Sequence, residues 1–361
     1  MSRQSVFSKS LICLLCCAAP LRAGVLSGDG IGAYGDSLSW QYSLWVPLAP
    51  SFGYSIFSNG QQFNWVDQLV MSGYNFGPQV DATGNHNYYN ANDVALGGAV
   101  SSDLPGQVSS LQPSLASNAV KLTVMEIGGD NFTVGLGGEY GTIYTAAANH
   151  AYNPLTNPAV QTFMNNLVGD ITSAVNATLA INPSEHMVLM TVPDLGVTPS
   201  YRSTYSDATR RAEVTSVVNA INQQILSLAA LHHMPVVDLN ALGQLSLTPP
   251  KLGGVQMLTG GGNGGNRMYL SDSFHPGTVA NGLLANAILK ADQIGYGDAV
   301  NLISDQIILT RAGVTPTVGG STYYDVSPYV IFNPVPEPST LAITICAAVG
   351  IVIVPRRGRR R

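Results

Sequence analysis

The chain has 361 residues, of which only 10% are charged, and a formal net charge of −5. All four cysteines lie near the two ends, in segments that we expect to be removed, which excludes disulfides, a cysteine nucleophile and a thiolate metal site from the mature protein. Without those ends the charge becomes about −13, and no basic patch remains, which argues against nucleic acid as a partner.

Residues 1–23 have the pattern of a secretory signal peptide. Arg3 and Lys9 precede a short apolar run, and the small residue Ala23 stands before the expected cleavage point. The run is too short for a permanent membrane span. We therefore expect export across the inner membrane, with signal peptidase as a processing partner.

The first predicted strand leads into Gly35-Asp36-Ser37-Leu38. This pattern places Ser37 on a sharp turn at the carboxyl end of a strand, which is the edge where open α/β sheets bind ligands. Asp and Ser are also common at helix N-caps. The stretch alone therefore leaves a catalytic and a structural interpretation open.

Residues 40–65 are rich in aromatic side chains. They either pack on the domain surface or form one wall of a substrate groove, since rings offer a large contact area. A short apolar strand is then expected before Gly97-Gly98, whose missing side chains let the backbone approach a ligand closely. A buried strand at 122–127 leads into Gly128-Gly129-Asp130-Asn131, and residues 133–157 are expected to be a surface excursion.

Further along, apolar periodicity predicts helices and strands in alternation. The predicted helices are 63–70, 158–180, 213–231 and 278–294, and the predicted buried strands are 187–192 and 235–239. This alternation predicts an α/β fold with a doubly wound, mainly parallel sheet flanked by helices.

Asp272-Ser273-Phe274-His275 follows the last of these strands. A serine nucleophile needs a base within hydrogen-bond reach and a third group that orients the base. It also needs fixed donors for the oxyanion that forms. Ser37, the two glycine loops and the Asp272/His275 pair are all expected at one edge of the sheet, which favours the catalytic interpretation of Ser37.

Four other histidines do not belong to this serine and carboxylate constellation, and their scatter argues against a metal site. The histidines in question are His150, His186, His232 and His233.

The four stretches resemble, in order, the four blocks of the GDSL, or SGNH, hydrolases. The resemblance implies a flavodoxin-like three-layer sandwich and a serine esterase or lipase that needs neither metal nor cofactor. It implies that Ser37 is the nucleophile, His275 the general base and Asp272 the carboxylate that orients it. The main-chain N–H groups of Ser37 and Gly98 and an asparagine side chain would form the oxyanion hole.

The third block departs from the family's order, Gly-x-Asn-Asp, because here it ends in Asp130-Asn131. We expect the loop to shift by one residue so that Asn131 donates; the alternative is that this donor is lost. Asp36 and Asp130 are additional candidate site residues. Two functions follow: hydrolysis of a lipid or acylated polysaccharide ester, or a non-catalytic matrix or surface protein on the same fold.

The end of the chain resembles the PEP-CTERM sorting signal of Gram-negative bacteria. Val335-Pro336-Glu337-Pro338 precedes an apolar run and five terminal arginines. The resemblance implies cleavage by an exosortase, only transient contact with the membrane, and delivery to the cell surface or extracellular matrix; a plain membrane anchor is the alternative. The expected organisation is a signal peptide at 1–23, a hydrolase domain at 24–304, a short hairpin extension at 305–333 and the sorting signal at 334–361.

Overall fold

The computed structural model describes residues 29–45, 62–81, 88–133, 138–262 and 264–332. The predicted signal peptide, the predicted sorting signal and most of the aromatic stretch lie outside these residues.

Nine strands are present in the described part of the chain. They are β1 Gly30–Gly35, β2 Gln79–Asp81, β3 Tyr88–Asn90, β4 Val120–Glu126, β5 His186–Met190, β6 Val236–Val237, β7 Lys251–Leu252, β8 Val255–Gln256 and β9 Val330–Ile331. Five of them form the central sheet in the order β1-β4-β5-β6-β9. The first three pairings are parallel and the last is antiparallel. The predicted fold class is confirmed.

Ten α-helices accompany these strands in the described ranges. They are α1 Tyr42–Trp45, α2 Trp65–Val70, α3 Leu104–Ala116, α4 Glu139–Ala146, α5 Pro158–Ile181, α6 Pro199–Thr204, α7 Ala208–Leu231, α8 Leu239–Gln244, α9 Thr278–Tyr296 and α10 Asp305–Arg311. Helices α3, α5 and α7 pack their apolar residues against one face of the sheet. Helices α2, α8, α9 and α10 pack theirs against the other face. The result is a three-layer sandwich with the sheet in the middle.

The alternation of side chains along β1 explains how both faces are filled. Ile31 and Ala33 pack with α2 and α9, whereas Tyr34 packs with α3 and α5. Gly32 lets α3 approach closely, because a Cβ there would lie 2.6 Å from Leu111 Cδ2. All six residues of β1 are buried, as expected for a strand that is covered by helices on both sides.

The two longest helices begin at side-chain caps. Asn157 accepts hydrogen bonds from Ala159 N and Val160 N at the start of α5, and Asp207 accepts from Thr209 N and Arg210 N at the start of α7. Such caps satisfy N–H groups that have no partner within the helix. Helix α7 is long and apolar enough to span a membrane, but its apolar residues, such as Val214 and Ile221, are buried in the core.

The structure corrects two predicted segments and adds a helix. Residues 93–96, directly before Gly97, do not form the expected strand, although Asp93 forms a bridge to Ala33. The expected surface excursion contains α4, whose Tyr140 and Ile143 are fully buried. Helix α3 was not predicted, because its two prolines and a glycine obscure an apolar spacing that is otherwise helical.

The hairpin expected at 305–333 is also wrong. Ser304 caps α10 by accepting from Ile307 N, and Ile308 packs so closely on α9 that a Cβ at Gly282 would lie 2.6 Å from Ile308 Cγ2. Strand β9 then joins the central sheet beside β6. This segment therefore packs against α9 and adds a strand to the central sheet.

Candidate active site

Ser37 lies on the turn that follows β1. Leu38 N donates to Asp36 Oδ1 over 3.0 Å, and Ser39 N and Trp40 N both donate to the Asp36 carbonyl oxygen. These bonds fold the chain back directly after the strand. Ser37 is consequently held at the carboxyl edge of the sheet, as the sequence predicted.

The loop before α9 brings His275 to Ser37. Ser37 Oγ lies 2.8 Å from His275 Nε2, and His275 Nδ1 is hydrogen bonded to Asp272 Oδ2. With Nδ1–H donating to the carboxylate, Nε2 can accept the serine proton. The structure therefore brings together the three residues that the sequence singled out.

Asp272 is fixed by its own backbone neighbours. Its Oδ1 accepts from Phe274 N at 2.9 Å and from His275 N at 3.0 Å. This arrangement requires Ser273 to adopt φ +61°, a left-handed conformation that costs free energy for a residue with a side chain. Strain of this kind occurs where the surrounding structure imposes a functional geometry.

The third block places Asp130, and not Asn131, beside the serine. The Asp130 carboxyl group lies close to the Gly98 main-chain N–H and close enough to His275 for an electrostatic interaction. Gly98 has φ +79°, which glycine adopts without strain. Asp130 and Ser37 also line one groove.

Asn131 points away from this group. Its Oδ1 accepts from Ser101 N at 3.0 Å, and its Nδ2 donates to Ser101 Oγ at 3.1 Å. Ser101 Oγ in turn donates to Asp170 on α5. The one-residue shift expected for Asn131 is therefore wrong: its side chain holds Ser101, just before α3, and Asp130 is the member of the pair that lines the groove with Ser37.

Three carboxyl groups lie together behind Ser37. Burial, together with the charge of Glu126, holds the pKa of Asp36 well above its ordinary value, and the two side chains share a hydrogen bond. Burial raises the pKa of Glu126 to about 7 and also raises that of Asp130. Because like charges cannot all ionise in a buried cluster, protons are retained among the three groups near neutral pH.

Sequence reasoning missed two amide side chains that hold the loops of the site. Gln107 on α3 accepts from Gly35 N at 2.8 Å and donates to Gly35 O at 2.7 Å, at the end of β1. Asn222 on α7 does the same for Val192 after β5, at 2.7 and 2.9 Å. Each amide completes the backbone hydrogen bonds where the strand ladder stops. The sequence signal that could have identified them is a glutamine or asparagine on the buried face of a helix.

We expect Gln107→Ala to lower the free energy of unfolding by about 2–4 kcal/mol, because it leaves the buried Gly35 N–H and C=O without partners. It should also lower ester-hydrolysing activity, since Gly35 directly precedes the turn that holds Ser37. Urea unfolding followed by circular dichroism measures the first effect. Gln161→Ala is the matched control, because Gln161 is exposed and donates to one backbone carbonyl. Equal destabilisation by the two variants would contradict the assignment.

An apolar groove adjoins the serine. Its apolar lining includes Leu38, Leu195, Val197, Leu239 and Phe274, and Asp130 and Ser37 also line it. The ring of Phe274 also packs edge-on against His275, with centroids 5.0 Å apart. The groove can thus take an apolar group directly beside the Ser37 hydroxyl.

The fold and the site define an α/β protein with serine, histidine and aspartate side chains in hydrogen-bond contact at the carboxyl edge of a mainly parallel sheet. The sequence model of the GDSL-like lipase/acylhydrolases matches residues 31–288. The chain belongs to this family, which supports an ester-hydrolysing function. No curated protein matches the chain.

Several solved structures are similar to this one. An extracellular lipase from Streptomyces rimosus shares 14% identity over 59% of this chain and 81% of its own, with a TM-score of 0.36. A phospholipase A1 from Streptomyces albidoflavus shares 17% over 60% and 81%, with a TM-score of 0.34. A family 3 carbohydrate esterase from Talaromyces cellulolyticus shares 16% over 71% and 92%, with a TM-score of 0.36.

Proposed function

We propose that this protein is a secreted serine hydrolase that cleaves carboxylic esters through an acyl-enzyme on Ser37. The observation that carries the proposal is the 2.8 Å contact between Ser37 Oγ and His275 Nε2, with His275 Nδ1 held by Asp272. A hydroxyl is a weak nucleophile, and a base positioned at this distance activates it.

In the proposed reaction Ser37 Oγ attacks the ester carbonyl carbon while His275 Nε2 takes its proton. The tetrahedral intermediate collapses as His275 returns the proton to the leaving alcohol, which leaves the acyl group on Ser37. Water, deprotonated by His275, then attacks the acyl-enzyme, and His275 returns that proton to Ser37 Oγ as the carboxylic acid is released. Asp272 stabilises the imidazolium that forms in each half of the reaction.

The oxyanion would be held by the main-chain N–H groups of Ser37 and Gly98 and by a third donor, Asp130. A carboxylate would repel the oxyanion, but a neutral carboxylic acid donates a hydrogen bond as an asparagine does. The raised pKa of Asp130, caused chiefly by burial, supports the neutral form. A buried carboxylic acid can serve as an oxyanion donor in this way.

The apolar groove beside Ser37 supports an ester whose acyl group is apolar, from a lipid or from an O-acylated polysaccharide. The polysaccharide fits the proposed export, with signal peptidase and exosortase as processing partners and a final place on the cell surface or in the extracellular matrix. The second candidate function, a non-catalytic surface protein, is favoured by one observation: an ionisable group, Asp130, stands where the oxyanion would form.

Covalent labelling separates these candidates. We expect an alkyl fluorophosphonate to add one phosphonyl group per chain at Ser37, because fluoride leaves as the activated hydroxyl attacks phosphorus. Intact-mass and peptide mass spectrometry measure the addition. Ser227→Ala is the matched control and should label like the parent, since Ser227 is an exposed serine that donates to Gln223 O on α7. Absence of labelling at Ser37 would favour the non-catalytic protein.

A further inference from the structure

A second group of ionisable side chains lies at the end of the sheet opposite Ser37. His186 is the first residue of β5, Asp292 lies in the last turn of α9, and Asp298 follows that helix. Ser37 follows the last residue of the parallel strand β1, so His186 is at the other edge. The sequence analysis assigned His186 no carboxylate partner, and the structure corrects this: His186 Nδ1 is 3.5 Å from Asp298 Oδ2.

Both carboxyl groups are almost fully buried. Asp292 is 2% exposed and Asp298 is 1% exposed. Neither oxygen of Asp298, nor Oδ1 of Asp292, accepts a hydrogen bond from an N–H or hydroxyl donor in the described ranges, and no lysine or arginine there forms an ion pair with either residue. Two adjacent buried carboxylates are costly unless a positive charge joins them.

The spacing of the candidate ligand atoms fits a metal ion. His186 Nδ1 and one oxygen of each aspartate all lie within 4.8 Å of one another. The 3.5 Å between His186 Nδ1 and Asp298 Oδ2 is long for an N–H···O hydrogen bond, which is typically about 2.9 Å. It is close to the roughly 3.4 Å that separates two ligands on a tetrahedral Zn²⁺ with bonds of about 2.1 Å.

The imidazole is held in place by a neighbouring ring. Tyr296, the last residue of α9, stacks on His186 with centroids 3.9 Å apart and an angle of 8° between the planes. Tyr296 Oη donates to Met187 O at 2.7 Å and accepts from Met187 N at 2.9 Å. The ring that carries Nδ1 is therefore fixed beside the two carboxylates, as a preformed ligand requires.

We propose that His186, Asp292 and Asp298 bind one divalent cation, Zn²⁺, with water completing the coordination. The mixed nitrogen and oxygen donors favour Zn²⁺ over Ca²⁺ and Mg²⁺, which prefer oxygen ligands alone. The ion ties the start of β5 to the end of α9. Because the site is at the sheet edge opposite Ser37, its role is stabilisation of the fold rather than ester hydrolysis.

The test uses the full chain without a histidine tag, stripped with EDTA and dialysed at pH 7.5. Isothermal titration with Zn²⁺ should give one ion per chain, and saturating Zn²⁺ should raise the melting temperature by several degrees, because the ion binds only the folded state. Bound Co²⁺ should give the intense visible absorption of a tetrahedral site. Activity toward a short-chain ester, measured at 25 °C, should not change.

Asp298→Asn should abolish Zn²⁺ binding and the thermal shift, whereas Asp325→Asn, at an exposed aspartate, should retain both. If Asp298→Asn fails to fold, Zn²⁺ titration and the melting temperature of the parent protein are sufficient to test the proposal. Absence of a binding isotherm and of a thermal shift in the parent would overturn the proposal and indicate that Asp292 and Asp298 share a proton instead. Unchanged Zn²⁺ binding by folded Asp298→Asn would overturn it as well.

Discussion

Ser37→Ala is expected to lower kcat/KM for p-nitrophenyl butyrate by about 10⁴- to 10⁶-fold, the loss typical of a removed serine nucleophile. The hydroxyl that forms the acyl-enzyme is gone, while the groove and the Gly98 N–H that contact the substrate remain. His275 can then activate only water, which is poorly placed. Release of nitrophenol at pH 7, with urea unfolding as a check on folding, measures the effect.

The stability measurement distinguishes a chemical loss from a structural one. Ser37 is partly exposed and its hydroxyl bonds only to His275 among the described hydrogen bonds, so the urea midpoint should stay close to that of the parent. A Ser37→Ala variant that keeps more than about a tenth of the parent's activity would contradict the acyl-enzyme mechanism, because a nucleophile cannot be dispensable.

Asp130→Asn is expected to raise activity at alkaline pH and to leave it nearly unchanged at acidic pH. Burial raises the pKa of Asp130, so below that pKa the parent has a neutral carboxylic acid that can donate to the oxyanion. As the pH rises through that pKa, the acid ionises and a negative charge faces the oxyanion instead. An asparagine donates at every pH. The donor it preserves is typically worth about 10²–10³ in turnover.

The measurement is the ratio of kcat/KM for Asp130→Asn to that of the parent, from pH 5 to pH 9. We expect the ratio to increase with pH toward the roughly 10²-fold effect of one oxyanion donor. Asp36, on the turn after β1, and Glu126, at the end of β4, adjoin Asp130, so the rise should extend over more than one pH unit, because coupled groups titrate together.

Asn131→Ala is the matched control for this series. Its amide bonds to Ser101 and not to the serine loop, so the shape of its pH profile should follow the parent's. A constant ratio for Asp130→Asn across the pH range would contradict the donor role of Asp130. If Asp130→Asn lost activity at every pH, the Asp130 carboxyl group would have a function that an amide cannot replace.

The sequence predicted those parts of the site that depend on local pattern. Ser37 follows a buried strand, and Asp272 and His275 lie three residues apart on one loop, so their convergence follows from the parallel sheet. The directions of Asp130 and Asn131 could not be predicted in the same way. They depend on Gly98 and Ser101, which belong to other elements and offer competing partners.

Longer-range contacts were predicted least well. Gln107 is on a helix whose prolines and glycine hid its periodicity, and its partner Gly35 is on another element. His186 meets Asp298 only because α9 returns antiparallel along the sheet to the start of β5. Helix and strand patterns give the order of such elements, but not which ends of them come into contact.

Strand β9 has a consequence for the solubility of the protein. It pairs with β6 at the end of the sheet, and Asp238 N donates to Tyr329 O beside that pairing. Without residues 327–332, the outer backbone groups of β6 would be open to strands from other copies, which is how exposed sheet edges start aggregation. The last described segment thus shields an edge, and removal of the predicted sorting signal at 334–361 would leave that shield in place.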